Sequence, residues 1–244
     1  MRQLFPEPRF DVSPEAAYGE LSGPQGRPSV RVNMVTSIDG RTAIDGVSKG
    51  LGGPADLRVF KALRSLCDAV LVGAGTARAE DYGPAILSPE LRKTRVQRGQ
   101  TPVPAIVVIS RSCDLDWTSR LFAPGESRPI VATVTGAPGE RRTQARQHAE
   151  VIEINGESVD LDVLLGHLAT RGMKSVLVEG GPTLNAQLAA EGLIDELCVT
   201  LSPLLAGGDS KGILAGGVTA PAAGYKLVAL YEDDGMLFFR WRPA

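Results

Sequence analysis

The chain is poor in the residues that would build several common classes of protein. Only three cysteines occur in 244 residues. Cys67, Cys113 and Cys198 are odd in number and far apart, which argues against a disulfide framework. The two histidines, His148 and His167, form no clustered Cys/His set, so no metal is expected. Aromatic residues make up only 5% of the chain, which leaves the core to Val, Leu, Ile and Ala. There is no excess of positive charge: 26 Lys and Arg face 28 Asp and Glu, a net of -2. A general electrostatic nucleic-acid binder is ordinarily basic, so no nucleic-acid partner is expected. No apolar run approaches the ~18 residues of a membrane span. The opening Met1-Arg2-Gln3-Leu4-Phe5-Pro6 lacks the apolar core of a secretory signal. The expectation is a cytoplasmic protein with no membrane partner.

What is present suits a globular domain. Residues 1–28, rich in Pro, Gly and acidic groups, read as an irregular lead-in. Val30, Val32 and Met34 then alternate with polar neighbours at the period of a strand. Pro54 opens a helical pattern through Leu57, Phe60, Leu63 and Leu66. Ala69–Val72, Ala105–Ile109 and Ser175–Val178 are short apolar runs of the kind found in buried parallel strands. A further strand is expected near Ile130–Thr133, with helices near 88–98, 139–149, 159–171 and 183–191. Asp195–Leu201 reads as a strand. Tyr225–Tyr231 and Met236–Trp241 flank an Asp-Gly turn signal, which predicts an antiparallel hairpin. The fold class is therefore α/β: a single domain over 29–244 with a mixed, mostly parallel central sheet flanked by helices and closed by a C-terminal antiparallel hairpin. The basic groups Arg92-Lys93, Arg95, Arg98, Arg141-Arg142 and Arg146 read as solvated helix faces.

Chemistry concentrates where apolar strands run out. Val70-Leu71-Val72-Gly73-Ala74-Gly75-Thr76 and Val176-Leu177-Val178-Glu179-Gly180-Gly181-Pro182-Thr183-Leu184 each pass through a glycine turn into helix-compatible sequence. Glycine lets backbone approach a ligand, and the free N–H groups of a helix N-terminus favour a phosphate. As a Rossmann fingerprint Gly73-x-Gly75 fails, because Arg78 occupies the third glycine position. The strand 105–109 ends in Ser110-Arg111, a pair whose donors match a 2′-phosphate. That reading favours NADPH. A further polar stretch, Thr36-Ser37-Ile38-Asp39-Gly40-Arg41, follows the first strand.

Taken in order, Ser37-x-Asp39-Gly40, Ser48, Leu63-Arg64, Asp68-Ala69 with Gly73-x-x-Thr76, Glu179-Gly180-Gly181-Pro182-Thr183-Leu184 and Asp195-Glu196-Leu197 resemble the RibD C-terminal family. These are the reductase domains of riboflavin biosynthesis proteins, with a dihydrofolate-reductase-like fold. The resemblance runs from about residue 29 to about 242. It implies NADPH-dependent reduction of 5-amino-6-ribosylamino-uracil 5′-phosphate to its ribityl form, by hydride transfer to C1′ of the opened sugar. The zinc deaminase motifs of the bifunctional members do not occur in this sequence, so a stand-alone reductase is implied. By position, Val35, Thr36, Thr76, Glu80, Ser110, Arg111 and Gly180, Gly181, Pro182, Thr183 and Leu184 would line the cofactor. Asp39, Ser48, Lys49, Arg64 and Glu179 would face substrate, with Arg64 clamping the 5′-phosphate. Asp39 and Glu80 are the candidate proton donors, and a homodimer is implied.

Two departures touch the substrate half. Gly50 stands where many members have Trp, and Glu80-Asp81-Tyr82 replaces their Asp-Asp-Pro. A same-fold reductase of a dihydropterin or dihydrofolate is therefore the alternative substrate reading. A non-catalytic NADP-binding regulatory protein is the alternative of another class.

Overall fold

The computed structural model describes residues 1–19, 21–209, 211–216 and 222–244. In chain order its elements are β1 (Arg2–Phe5), α1 (Pro14–Tyr18), β2 (Ser29–Thr36), α2 (Pro54–Leu66), β3 (Ala69–Gly73), α3 (Ala74–Ala79), α4 (Pro89–Gln97) and β4 (Ala105–Ile109). A 3-10 turn at Arg120–Phe122 leads to β5 (Ile130–Val134), α5 (Gly139–His148), β6 (Glu150–Ile154), α6 (Leu161–Thr170) and β7 (Ser175–Val178). The chain ends with α7 (Pro182–Ala190), β8 (Glu196–Leu201), β9 (Tyr225–Asp233) and β10 (Met236–Pro243). Two compact units emerge. The first comprises Met1–Leu21, Val30–Leu66 and Val178–Ala244; the second, Ser22–Ser29 and Cys67–Leu177. Because the chain enters and leaves the first unit repeatedly, no single linker marks a boundary.

The second unit carries the strand order β7-β3-β4-β5-β6. Pairs β3/β4, β4/β5 and β5/β6 are parallel. Its strands are nearly all aliphatic because both faces are covered: Ala69, Val70, Leu71 and Val72 are fully buried. Helix α6 is amphipathic and seals Leu161, Leu164, Leu165 and Leu168 into the core. Asp68 ties the strand starts together. Its Oδ2 accepts from the amides of Lys174 and Ser175 at 2.8 and 3.0 Å, and Oδ1 accepts from Gln100 at 2.7 Å.

Two features of this unit depart from expectation. Strand β6 is legible only afterwards, since its glutamates interrupt the apolar run. Both serve as surface partners, Glu150 for Arg171 and Glu153 for Arg142 and Arg146. Arg95 is not part of a solvated face but fully buried. Its Nε donates to the Thr101 carbonyl at 2.9 Å and Nη1 to the Cys67 carbonyl at 2.5 Å, so a guanidinium serves main-chain oxygens inside the unit.

The first unit has the order β1-β9-β10-β8-β2. Strands β2 and β8 are parallel, whereas β1/β9, β9/β10 and β10/β8 are antiparallel. The hairpin turns on two residues, Asp234 and Gly235, both at positive φ, as its Asp-Gly signal predicts. Alternation along β10 sends Met236 and Phe238 to the covered face and leaves Leu237, Phe239 and Trp241 half-buried on the other.

The N-terminal segment differs from the irregular lead-in expected. Strand β1 pairs with β9, and α1 has a full set of end signals. Ser13 caps it by accepting from the Ala16 amide at 3.2 Å, Pro14 occupies its first turn, and Gly19 at φ +53° ends it. The buried Tyr18 and Ala17 fix the helix in place. Tyr231 Oη donates to the Ala17 carbonyl at 2.9 Å.

Beneath Tyr18 lies a buried charge network. The Glu196 carboxylate is fully buried and receives Arg240 Nε and Nη2 at 2.9 and 3.0 Å, Arg31 Nη2 at 3.4 Å and Arg242 Nη2 at 3.3 Å. Burial alone would raise this carboxyl, but the Arg240 hydrogen bonds and the charges of Arg31, Arg240 and Arg242 outweigh it and hold it below its ordinary value. Burial, reinforced by Glu196, pushes the neighbouring Cys198 thiol up to about 12.

Candidate active site

In the first unit a closed ring of contacts joins the C-terminal end of β2 to the N-terminus of α7. The polar stretch after β2 folds on itself: Ser37 Oγ donates to Asp39 Oδ1 at 2.6 Å and accepts from the Arg41 amide at 2.9 Å. Residues 202–209 and 211–216 then run alongside it. The Ser202 amide donates to the Thr36 carbonyl at 2.7 Å, and the Ile38 amide to Leu204 at 2.9 Å. The amides of Ala206 and Gly207 reach the two oxygens of Asp39 at 3.0 and 2.8 Å. Thr42 Oγ1 donates to the Lys211 carbonyl at 2.7 Å. At its far end the segment meets α7: Asn185 Nδ2 donates to the Ile213 carbonyl at 3.0 Å and the Ala215 amide to Pro182 at 3.1 Å. The ring closes where Gly180 approaches Met34 of β2. A Cβ on Gly180 would lie 3.3 Å from the Met34 sulfur, and its φ of +86° is one that side chains rarely adopt.

Several expected substrate and cofactor residues lie on these elements. Glu179 follows the last residue of β7, the Gly180-Gly181 turn has a cis peptide bond, and α7 begins at Pro182. Gly181 offers the helix no side-chain cap. Asn185 is the first residue whose amide bonds within the helix, to the Gly181 carbonyl at 3.1 Å. The Thr183 and Leu184 amides therefore precede the first intrahelical bond, the arrangement that favours an anion. Asn185 is buried, and its Oδ1 has no hydrogen-bond partner among the described residues. Val35 and Thr36 sit at the end of β2, whereas Ser48 and Lys49 lie in the loop that leads from β2 to α2. Lys49 is exposed and has no ion-pair partner among the described residues.

Two expectations change in detail. Arg64 meets a second expected substrate residue, Glu179. Its Nε donates to Glu179 Oε1 at 2.8 Å and its Nη2 to Oε2 at 2.7 Å, a bidentate pair between side chains only 12% and 3% exposed. A buried carboxylate left alone costs far more than one forked by a guanidinium, so these two groups hold each other. Asp39 is also unsuited to donating a proton. The Ser37 hydroxyl, then the Ala206 and Gly207 amides, hold its carboxyl well below the usual range, so it stays ionised.

The second unit holds the other expected cofactor residues. Gly73 is the N-cap of α3, and a Cβ at Gly75 would meet no protein atom within 4 Å. Thr76 lies in that helix and Glu80 caps its C-terminal end, its amide donating to the Thr76 carbonyl at 2.9 Å. Beyond β4, Ser110 is buried and its amide donates to the Ala132 carbonyl at 3.0 Å. Thr133 Oγ1 fixes the next turn by donating to the Arg111 carbonyl at 3.2 Å. The Arg111 side chain is exposed and has no ion-pair partner among the described residues. What sequence reasoning missed was the role of residues 202–209 and 211–216 and of Asn185. The only local signal was the Gly207-Gly208 pair between β8 and β9.

No group of three His, Cys, Asp or Glu side chains is placed to hold a metal among the described residues. Nor, among them, is any helix long and apolar enough to cross a membrane.

A mixed α/β fold with a carboxylate, a glycine turn and an uncapped helix N-terminus at one strand tip has the form of an α/β enzyme. The chain belongs to the RibD C-terminal domain family, whose model matches residues 28–235. Over 183 residues it is 35% identical to a 2,5-diamino-6-ribosylamino-4(3H)-pyrimidinone 5′-phosphate reductase of Archaeoglobus fulgidus, covering 75% of this chain and 83% of that one. A reductase of the same name from Methanothermobacter thermautotrophicus is 32% identical over 191 residues, covering 78% and 85%. Among solved structures, a pyrimidine reductase-like protein from Corynebacterium diphtheriae is similar with a TM-score of 0.84 and 28% identity, covering 96% of this chain and 99% of that one.

Proposed function

We propose that this chain reduces a ribosylaminopyrimidine 5′-phosphate to its ribityl form with NADPH. The observation that carries the reading is the strand tip Glu179-Gly180-Gly181-Pro182, where a buried carboxylate adjoins helix amides with no intrahelical acceptor. The names of its relatives favour the 2,5-diaminopyrimidinone form of the substrate over the uracil form that the sequence resemblance implies. The two differ at one ring substituent.

The residues present suit the cofactor. The Thr183 and Leu184 amides and the close glycine backbone suit a pyrophosphate. Arg111, with Ser110 beside it, suits a 2′-phosphate. Val35 and Thr36 would border the nicotinamide, and Thr76 and Glu80 the remainder. When bound, NADPH supplies the hydride for C1′ of the opened sugar, and the protein supplies placement. On the substrate side Glu179 accepts from pyrimidine N–H groups, Ser48 adds a hydroxyl, and Lys49 offers the exposed cation. With Asp39 held ionised, Glu80 or water delivers the proton.

A second copy of the chain covers the half-buried apolar face of the C-terminal sheet. Leu237, Phe239 and Trp241 of β10 face Leu201, Val199 and Leu197 of β8 there, pair by pair. Light scattering at micromolar concentration should find a dimer, and Phe239→Asp should give a monomer.

Loss of NADPH absorbance tests the activity. The diaminopyrimidinone phosphate, the uracil phosphate and dihydrofolate are run side by side with a control lacking substrate. Oxidation with a pyrimidine phosphate supports the proposal. Oxidation with dihydrofolate alone, or binding of NADPH with no turnover, refutes it. Arg111→Ala should weaken NADPH binding by about 10- to 100-fold and leave NADH binding almost unchanged. Equal losses for both cofactors would remove the 2′-phosphate role.

A further inference from the structure

The loop after β2 is fastened to the chain beyond β8, and Asp39 supplies the charged hold. Its Oδ1 accepts from Ser37 Oγ at 2.6 Å and from the Ala206 amide at 3.0 Å, and its Oδ2 from the Gly207 amide at 2.8 Å. Arg41 Nε lies 3.9 Å from the same Oδ2. Hydrogen bonds to an ionised carboxylate are the stronger kind, and these fix where Ala206 and Gly207 stand relative to β2. On one side of that hold, the Ser202 amide donates to the Thr36 carbonyl at 2.7 Å. On the other, Lys211 accepts from Thr42 Oγ1 at 2.7 Å, and the Ala215 amide donates to the Pro182 carbonyl at 3.1 Å. Gly216 then lies against Thr183. A Cβ on Gly216 would stand 3.2 Å from Thr183 Cγ2 and 3.4 Å from its Oγ1, and φ there is +115°. Asp39 thus reaches Thr36, Pro182 and Thr183 through the main chain it holds.

We propose that Asp39 is a positioning residue for the cofactor. Through Ala206 and Gly207 it holds the main chain that seats Thr36 beside the nicotinamide and packs on Thr183 at the N-terminus of α7. The inference rests on the reading of that helix end as the pyrophosphate site. It moves Asp39 from the substrate side, where the sequence resemblance puts it, to the cofactor side. Amide donors bind an anion well when they are already aimed, so a shift of the main chain over Thr183 weakens binding without removing a donor. The nicotinamide and the pyrophosphate are common to NADPH and NADH. Asp39 therefore acts on both cofactors alike, whereas Arg111 acts on the 2′-phosphate of one.

The test measures the affinities of NADPH and NADH by fluorescence titration, beside the rate of tryptic cleavage after Lys211. The proteins are wild type, Asp39→Ala, Asp39→Asn and Thr42→Val. Asp39→Ala should weaken both cofactors by about 10-fold, the scale of lost hydrogen bonds to a charged group, and should speed cleavage. At saturating NADPH its KM for the pyrimidine phosphate should stay near the wild-type value. Asp39→Asn keeps one acceptor oxygen and should lose less, and Thr42→Val, which removes a neutral hold, less again. Faster cleavage with unchanged cofactor affinity would make Asp39 a merely structural residue and overturn the inference. So would a raised KM for the pyrimidine phosphate with normal cofactor binding, or a loss confined to NADPH. Should Asp39→Ala fail to fold, Asp39→Asn and Thr42→Val carry the comparison. A wild-type protein that binds neither cofactor would instead remove the cofactor reading itself, a failure distinct from failure of the coupling.

Discussion

Two buried glutamates in the same unit meet arginines in different ways. Glu196 opens β8 and is enclosed by Arg31, Arg240 and Arg242, with Tyr18 and Cys198 packed around them. Glu179 follows the end of β7 and accepts a bidentate pair of hydrogen bonds from Arg64. In α/β sheets ligands bind beyond the carboxyl ends of strands, so the same ion-pair chemistry carries different roles at the two ends. A carboxylate ringed by three cations at a strand start has no capacity left for a ligand and fastens the sheet to α1. Glu179, forked by Arg64, stands at the strand end where ligands bind in such sheets. Burial of charge alone therefore does not identify a site; the end of the strand at which it lies is the better guide.

The contrast can be broken most forcefully at Glu196. Glu196→Gln leaves three arginines without their shared counter-charge and should cost about 3–5 kcal/mol in urea unfolding, with kcat/KM per folded molecule unchanged. Loss of activity without loss of stability would erase the distinction. Acid should act on the same group. Because the folded carboxyl lies below its unfolded value of 4.5, its stabilisation is present above that value and disappears as pH falls through the folded one. The urea midpoint should drop between about pH 6 and about pH 3, and drop less in Glu196→Gln. A smaller effect is expected from Tyr231→Phe, which removes the hydrogen bond to Ala17 and should cost about 1 kcal/mol. Smallest is Asp39→Asn, which weakens the grip on Ala206 and Gly207 and should speed tryptic cleavage after Lys211 without changing the unfolding midpoint.

Much of the framework is legible in the sequence because it is local. The parallel strands read as short aliphatic runs, and the last hairpin is announced by Asp234-Gly235. Strand β1 escapes notice because its partner β9 lies at the opposite end of the chain. Strand β6 escapes because edge glutamates interrupt its pattern. The site is legible as residue types and not as pairings. Glu179 and the glycine turn stand out as a strand tip, whereas the bond from Arg64 spans 115 positions and that from Gly207 to Asp39 spans 168. Arg95 taught the same lesson: a basic run reads as solvent-facing until the carbonyls it must satisfy are known.

The pairing of β1 with β9 has a consequence for how the protein is made. Residues 67–177 of the second unit leave the ribosome as one contiguous stretch, able to bury their aliphatic strands while synthesis continues. The first unit has no such opportunity. Its first strand waits, edge unpaired, until the last hairpin has been translated, so a nascent chain stalled before residue 225 would hold one finished half and one half still searching for its closing strand.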